Sequence, residues 1–298
     1  MNLGFHTLTI ADREAYQAVS LRSGRRNCNY TFANLVGWQF LFNTEVCVLR
    51  NAVVLRYTVG DEPVFMVCAP GDIPAELIGA LLENSSGKLT IVGLEDSQAA
   101  AIKTHCPELL VETVPLRNQY DYIYRRADLA SLHGGMLKAK RNHVNRFRAE
   151  YPDFEYRWLS PELFDECRRV TEIWQEEKDK SDTIAEEKKV METVFAQWDE
   201  LRMTGGAIFA EGHMVAFTYG NAVTNDTFDI CVEKADRRVE GAFAIINQQF
   251  AEHLPEQYVY INREEDMGLP GLRKAKLSYH PEILLTNNVV HITKNDRG

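Results

Sequence analysis

Apolar residues recur with two different periods along this chain, and the order of those periods predicts a mixed α/β protein. Alternating apolar positions indicate strands, whereas apolar positions three and four residues apart indicate helices. A short turn at Arg50 and Asn51 joins the first two strands into a hairpin. The first half then predicts strand, helix, strand, helix and strand, at residues 63–70, 71–85, 88–94, 96–106 and 111–116.

The second half repeats this order, which predicts an internal duplication. Residues 206–220 again indicate a hairpin, and a third strand and a helix follow it. When the two halves are aligned, Cys68 coincides with Cys231. We therefore predict two similar α/β domains, at residues 1–130 and 131–298.

The helix that begins near residue 241 differs from its counterpart in the first half. Arg237, Arg238 and Gly241 precede it, and the first half has no arginine at this place. The free amides and positive partial charge of a helix start suit an anion such as a phosphate. The alternative is an ordinary surface helix with Asp236 as its N-cap. This difference between the halves favours an active site in the second half.

Residues 133–151 predict a helix with a one-sided stripe of positive charge. One face holds Lys138, Arg141, Asn142, Asn145, Arg146 and Arg148, and the apolar face holds Met136, Leu137, Val144 and Phe147. Forked donors at helical spacing suit a phosphate or carboxylate, so Arg141, Asn145 and Arg148 are candidates for binding substrate. A solvated helix face without a ligand is the alternative.

Opposite charges meet after a strand that ends at Asn262. A glycine-containing turn carries the carboxylates Glu264, Glu265 and Asp266, and a basic helix follows with Arg273, Lys274 and Lys276. Because α/β sheets build sites at the C-terminal ends of their strands, these three cations are also candidates for binding substrate. A salt-bridged surface turn is the alternative, since such ion pairs are common and weak.

Composition narrows the classes of function. The 298 residues carry a formal net charge of −10, which argues against a protein that coats nucleic acid, although a local basic patch remains compatible with it. The six cysteines form no Cys-x-x-Cys pair, so we expect no disulfide, no zinc site and no other metal cofactor. The sequence shows no leader and no transmembrane segment, so we expect a cytoplasmic protein. Residues 172–198 alternate acids and bases and predict two scaffold helices.

Together these motifs resemble a known family. The duplicated units resemble tandem GNAT folds, the N-acetyltransferase type. The stretches KRNHVNRF and NREEDMGLPGLRKAKLSY resemble the bacterial family of the phosphatidylglycerol lysyltransferase C-terminal domain. The resemblance spans nearly the whole chain. It implies an acyltransferase fold, and the lysyltransferases use aminoacyl-tRNA as donor and a membrane lipid as acceptor.

The resemblance to GNAT enzymes also implies site residues. Those enzymes hold the pyrophosphate of acyl-CoA in a loop of the form Arg/Gln-x-x-Gly-x-Gly/Ala, which Arg238 and Gly241 match and in which Phe243 replaces the last small residue. The implied CoA site comprises Val232, Lys234, Arg237, Arg238, Gly241, Ala242 and Phe243. Asn262, Ala275 and Tyr279 keep an order found in the superfamily, which implies that Tyr279 protonates the leaving group.

We therefore expect an acyltransferase that passes an acyl or aminoacyl group from acyl-CoA or aminoacyl-tRNA to an amine or hydroxyl acceptor. Glu264, Glu265 or Asp266 would accept the proton of the nucleophile, beside Asn262. tRNA is an expected partner, whereas DNA is not. The alternative is a GNAT-like binding module without catalysis, which holds RNA or an anionic ligand or surface.

Overall fold

The computed structural model describes residues 3–85, 87–175 and 182–295. For residues 182–184 this description covers the backbone and not the side chains. Strands occupy both halves of this described part. They are β1 (His6–Thr7), β2 (Glu45–Val48), β3 (Val53–Val59), β4 (Glu62–Cys68), β5 (Lys88–Leu94), β6 (Leu109–Pro115), β7 (Asp121–Arg125), β8 (Glu155–Trp158), β9 (Thr204–Ala210), β10 (His213–Ala222), β11 (Thr227–Ala235), β12 (Tyr260–Asn262), β13 (Ile283–Leu285) and β14 (Asn288–Lys294).

Helices connect these strands and cover the sheets. They are α1 (Arg13–Ser20), α2 (Phe32–Gly37), α3 (Gln39–Phe42), α4 (Ala75–Glu83), α5 (Asp96–His105), α6 (Arg126–Ser131), α7 (Lys138–Glu150), α8 (Phe164–Gln175), α9 (Asp182–Ala196), α10 (Trp198–Leu201), α11 (Ala242–His253) and α12 (Pro270–Leu277). The predicted scaffold segment, residues 172–198, contains the end of α8 and all of α9. Its residues 176–181 lie outside the described residues. Among the described residues, no helix combines the length and apolar character needed to cross a membrane.

Two seven-stranded sheets form the molecule, and each half donates one strand to the sheet of the other. The first sheet has the order β1-β2-β3-β4-β5-β14-β6 and the second has the order β13-β7-β12-β11-β10-β9-β8. Thus β14, from the end of the chain, lies between β5 and β6, and β7, from the first half, lies between β12 and β13. The mixed α/β class and the tandem arrangement are confirmed. The domain boundary at residue 130 stays a prediction. Strand pairing crosses this boundary in both directions.

A shared apolar core joins the two units. Tyr16 and Phe32 from the first unit and Cys167 and Tyr219 from the second unit are buried in one cluster. The helix α2 packs directly on α9. The two units therefore bury apolar surface against each other, which is the main source of stability for such an interface.

A β-bulge in β11 changes the direction of the side chains in its second half. Tyr219 of β10 pairs with Val232 and Gly220 pairs with Ile230, so Cys231 is the extra residue. Gly220 permits this geometry, because a Cβ atom there would lie 1.8 Å from the carbonyl oxygen of Asp229.

Candidate functional site

The second sheet opens where β11 and β12 stop pairing. The two parallel strands pair from Thr227 with Tyr260 to Asp229 with Asn262. Beyond that point β12 ends, while β11 continues through its bulge to Ala235. Asp229 and Asn262 therefore lie at the base of a gap at the C-terminal ends of two strands, the place where α/β sheets build their sites. We call this gap the second splay.

Four carboxylates converge on one side of the second splay. Asp121 comes from β7, Asp229 from β11, and Glu264 and Glu265 from the turn after β12. Asp121 and Asp229 are fully buried, whereas Glu264 and Glu265 are partly exposed. We call these four residues the carboxylate cluster.

Residues of the first unit cover the carboxylate cluster and orient it. Thr31 donates a hydrogen bond to Asp229 Oδ2 (2.7 Å), and Asn34 Nδ2 donates to Glu264 Oε1 (2.9 Å). The backbone amide of Cys28 donates to Asp121 Oδ2 (2.7 Å). The site is thus built by both units of the molecule.

Asn262 lies at the base of the carboxylate cluster and links two of its members, Asp121 and Glu264, by hydrogen bonds. Its Nδ2 donates to Asp121 Oδ2 (2.8 Å) and to the carbonyl of Arg26 (2.7 Å), and its Oδ1 accepts from the amide of Glu264 (2.7 Å). These bonds hold Glu264 in the left-handed backbone conformation, with φ of 56°. The predicted pairing of Asn262 and Glu264 in one site therefore has a direct geometric basis, although the catalytic role of each stays a prediction.

The carboxylate cluster is short of positive charge. Lys276 is the nearby buried cation, and its ammonium donates to the backbone carbonyls of Arg263 and Glu265. Burial and the neighbouring Glu265 raise the pKa of Asp121 to about 7. Burial and Asp229 likewise raise the pKa of Glu264 well above its ordinary value. Carboxyl groups in this state share protons that a bound cation can replace.

One oxygen of the cluster has no partner. Asp229 Oδ1 is buried and accepts no hydrogen bond from the described residues, while its Oδ2 accepts from Thr31. A buried acceptor left without a donor is costly, so this oxygen is available to a group that donates a hydrogen bond. Two sets of three ligand atoms can also hold a metal ion, each set lying within 4.8 Å of one another: Cys28, Asp121 and Glu265, and Asp229, Cys231 and Glu264.

Two predicted site residues, Lys276 and Asp266, are buried and bonded within the protein, and their roles stay predictions. Lys276 is buried and holds the turn that carries Glu264 and Glu265. Asp266 is fully buried and accepts from Tyr122 (2.6 Å) and from the guanidinium groups of Arg117 and Arg273. These donors hold the pKa of Asp266 well below its ordinary value, so it is a poor proton acceptor.

The other predicted site residues in this region are Arg273 and Lys274 of α12 and Tyr279, which follows the helix. Arg273 is engaged with Asp266, and Lys274 is exposed to solvent. Tyr279 is buried, and the centre of its ring lies 4.8 Å from Cζ of Arg263. Burial raises the pKa of Tyr279 to about 12, so its hydroxyl is protonated at neutral pH.

The backbone conformation and close packing at the start of α11 explain the glycine at position 241. Gly241 is the N-cap, with φ of 84°, and a Cβ atom there would lie 2.6 Å from the carbonyl oxygen of His143 in α7. The expectation that Asp236 caps the helix is wrong, because Asp236 lies five positions earlier and accepts from the amide of Arg238 (2.9 Å). Its carboxylate also pairs with the Arg238 guanidinium (2.7 Å).

The other residues of the predicted CoA site lie along β11 and the start of α11. Lys234 pairs with Glu187 (2.8 Å) and lies over the ring of Trp174, which Arg237 also contacts. Val232 is partly buried against the shared core, Ala242 is buried, and Phe243 packs on the core beneath α11. A role of any of them in CoA binding stays a prediction.

The basic helix α7 packs along α11, and its polar side chains differ in what they contact. Arg141 donates to the carbonyls of Leu132 and Gly134, which precede the helix. Arg148 donates to Gln248 of α11 (3.2 Å), and Asn145 is exposed. Met136 is exposed rather than part of the apolar face, because the helix begins at Lys138 and not at residue 133.

The sequence reasoning missed Asp229 and Asp121 as site residues. Asp229 had a signal, because it is an acid between the apolar residues Phe228 and Ile230 of a strand. Asp121 had none, because nothing local shows that its strand pairs with the second sheet. The covering residues of the first unit, Thr31 and Asn34, had no signal either.

Comparison with known proteins places the chain in a family. The family model described as phosphatidylglycerol lysyltransferase, C-terminal, matches residues 22–287. A crystal structure of a conserved protein of unknown function from Bacteroides thetaiotaomicron is 36% identical, with a TM-score of 0.92, and the match covers 98% of this chain and 100% of that one. An uncharacterized protein of Mycoplasmoides gallisepticum is 20% identical over 175 residues, a match that spans 58% of this chain and 56% of that protein.

Two more distant structures share the fold. The C-terminal domain of a protein assigned as a lysylphosphatidylglycerol synthetase of Agrobacterium fabrum is 14% identical, with a TM-score of 0.65, and covers 95% of this chain and 92% of its own. The L-PGS of Bacillus licheniformis is 13% identical, with a TM-score of 0.62, and covers 100% of this chain and 95% of its own. At these identities the likeness shows the fold alone.

Proposed function

The chain belongs to the family of the phosphatidylglycerol lysyltransferase C-terminal domain, and from this premise we propose that it transfers an aminoacyl group from an aminoacyl-tRNA to an amine or hydroxyl acceptor. Family membership supports an acyltransferase-type function. The finer choice of donor rests on the carboxylate cluster. Acyl-CoA is the alternative donor. A simple acyl group carries no ammonium, so this donor requires no cation-binding site.

The observation that carries the proposal is the uncompensated charge at the second splay. Within the described residues, four carboxyl groups lie beside one buried ammonium, and Asp229 Oδ1 accepts no hydrogen bond. An aminoacyl ester carries a free ammonium group, and a lysyl ester carries two. Such a group supplies the missing donor and the missing positive charge together.

In the proposed reaction Glu264 and Tyr279, which lie on opposite sides of the second splay, carry the two proton transfers. The acceptor forms a bond to the ester carbonyl carbon, and the bond from that carbon to the tRNA oxygen breaks. Glu264 takes the proton of the acceptor, because the bound ammonium lowers its pKa and leaves it ionised. Tyr279, which packs on Arg263 directly before Glu264, gives a proton to the leaving oxygen.

A binding assay tests the part played by the cluster. We expect lysine amide, which has the two ammonium groups of a lysyl ester, to bind the wild-type protein in calorimetry. We expect Asp229→Asn to weaken that binding at least about tenfold, because a charge-assisted hydrogen bond is lost. Asp199→Asn removes an equal charge at an exposed position of α10 and serves as the control. Equal affinity in the two variants would contradict the proposal.

A transfer assay tests the donor. The protein is incubated with labelled lysyl-tRNA or with labelled acetyl-CoA, together with phosphatidylglycerol or a soluble polyamine as acceptor, and with EDTA in a parallel sample. Transfer from the tRNA that resists EDTA supports the proposal. Transfer from acetyl-CoA alone, or a complete dependence on added metal, would replace it with the corresponding alternative.

The second candidate is a binding module without catalysis, and the exposed basic side chains of α7 favour it. Arg146 is two-thirds exposed, and its partner Glu240 is also at the surface. If the helix binds tRNA, replacing Arg146 and Arg148 by alanine should weaken tRNA binding and flatten its salt dependence, because each phosphate contact releases counterions. Binding of tRNA without any transfer would establish this alternative.

A further inference from the structure

A second charged cluster lies on the other side of the second splay, between α7, α11 and the end of α12. It is formed by Lys140, Arg263 and Tyr279, with Glu233 of β11 and Asn247 of α11. The bulge at Cys231 directs Glu233 toward α11, whereas Asp229 faces the first unit. We call it the cationic cluster.

Two cations in this cluster contact the same aromatic ring. The ammonium of Lys140 lies 4.2 Å and Cζ of Arg263 lies 4.8 Å from the centre of the Tyr279 ring. Arg263 pairs with Glu233 through Nη2 (2.7 Å), and Asn247 Nδ2 also donates to Glu233 (3.2 Å). The cluster therefore holds two positive charges and one negative charge.

Two polar atoms of the cationic cluster are unused within the described part of the chain. Arg263 Nη1 and Asn247 Oδ1 are buried and have no hydrogen-bond partner among the described residues. Lys140 is partly buried and lies over the face of Tyr279, and within the described part of the chain its ammonium forms no ion pair shorter than 4.0 Å, although the charge of Glu233 acts on it. Burial and the nearby Arg263 lower the pKa of Lys140. Glu233 supplies one negative charge for these two cations, so the cluster keeps a net positive charge, which is unfavourable in a partly desolvated place.

We infer that Lys140 and Arg263 bind a small anionic oxygen group, a carboxylate or a phosphate, beside Tyr279. The group brings the charge that the cluster lacks and accepts from the unused Nη1 of Arg263 and from the Lys140 ammonium. This inference goes beyond the proposed function, because an anion-binding cluster needs no assumption about acyl transfer. It also differs from the predicted phosphate position at Gly241, where α7 packs against the helix start.

Nuclear magnetic resonance of the intact wild-type protein tests the inference directly. The protein is labelled at its lysine side chains and titrated with inorganic phosphate in one arm and with acetate in the other, at constant ionic strength. The Lys140 signal should shift and saturate with at least one anion, whereas the signal of the exposed Lys103 in α5 should not. Saturation with phosphate alone identifies a phosphate site, and saturation with acetate identifies a carboxylate site.

Matched variants assign the effect to these side chains. Lys140→Gln should reduce the affinity for the saturating anion about tenfold, because a charged hydrogen-bond donor is lost. Lys103→Gln removes the same charge from the surface and should leave the affinity unchanged. Arg263→Lys retains the charge and should still weaken binding, because the second guanidinium donor is gone. Absence of saturation in both arms, or equal affinity in Lys140→Gln and Lys103→Gln, would overturn the inference.

Discussion

The two sheets open at equivalent places, yet among the described residues only one opening is lined with polar atoms that lack a hydrogen-bond partner. In the first unit β4 and β5 pair only at Val64 with Thr90 and Phe65 with Ile91, and we call the gap beyond them the first splay. Tyr30 fills it, with its hydroxyl bonded to the carbonyl of Val67 (3.1 Å) and lying 3.4 Å from the position of a Cβ on Gly93. The first splay is therefore closed by packing.

One short segment of the first unit, residues 25–34, contacts both openings. Arg25 donates to the carbonyls of Ala69 and Gly71 beside the first splay. A few residues later, Thr31 and Asn34 turn to the carboxylates of the second splay. The duplicated architecture is therefore not what makes the site. The site depends on which side chains this connecting segment presents to each opening.

The largest effect should come from removing the cation that balances the second splay. Lys276→Met leaves the carboxylate cluster without its ammonium and frees the turn after Asn262, so we expect a loss of about 3 kcal/mol in the free energy of unfolding. Urea denaturation measures this loss. Lys274→Met, two residues earlier on the exposed side of α12, should change stability by less than about 0.5 kcal/mol. Equal stability of the two variants would mean that the cluster needs no internal cation.

The next effect concerns turnover. Tyr279→Phe should lower kcat about 100-fold with little change in donor affinity, because it removes a proton donor needed only when the leaving group departs. Tyr57→Phe, in β3 of the first unit, is the control and should retain the wild-type rate. Single-turnover kinetics with lysyl-tRNA separate kcat from binding. A wild-type rate in Tyr279→Phe over the full pH range would remove the phenol from the mechanism.

Much of the fold could be predicted from the sequence, because each element carries a local period. The hairpins and the helix after each third strand repeat in both halves and were found in that way. The exchange of β7 and β14 could not be found, since strand partners depend on long-range packing rather than on a local pattern. For the same reason neither Asp121 nor the packing of α7 against Gly241 could be identified from the sequence, and a phosphate site at Gly241 stays a prediction.

Stability should also depend on pH in a direction set by the second splay. The folded protein holds a proton on Asp121 up to a pKa of about 7, whereas the unfolded chain releases it near pH 4. The folded state therefore binds more protons between these values, and the free energy of unfolding falls as pH rises through this window. The slope is at most about 1.4 kcal/mol per pH unit for each such proton. Asp121→Asn should flatten the slope between pH 4 and 7, and an unchanged slope would show that Asp121 is ionised throughout.

The smallest effects should separate the two openings most clearly, because they come from removing one hydroxyl beside each. Tyr30→Phe loses the bond to Val67 in the first splay, so stability should fall by about 1 kcal/mol while lysine amide binding stays as in the wild type. Thr31→Val loses the bond that orients Asp229, so a similar loss of stability should come with weaker binding of lysine amide, by a factor of about five. The two positions are adjacent in the chain and both are buried, so they share the general cost of changing the segment. Denaturation and calorimetry on both variants separate that shared cost from the effect on the ligand. If Tyr30→Phe weakens lysine amide binding as much as Thr31→Val does, the first splay takes part in binding and the difference drawn between the two openings is wrong.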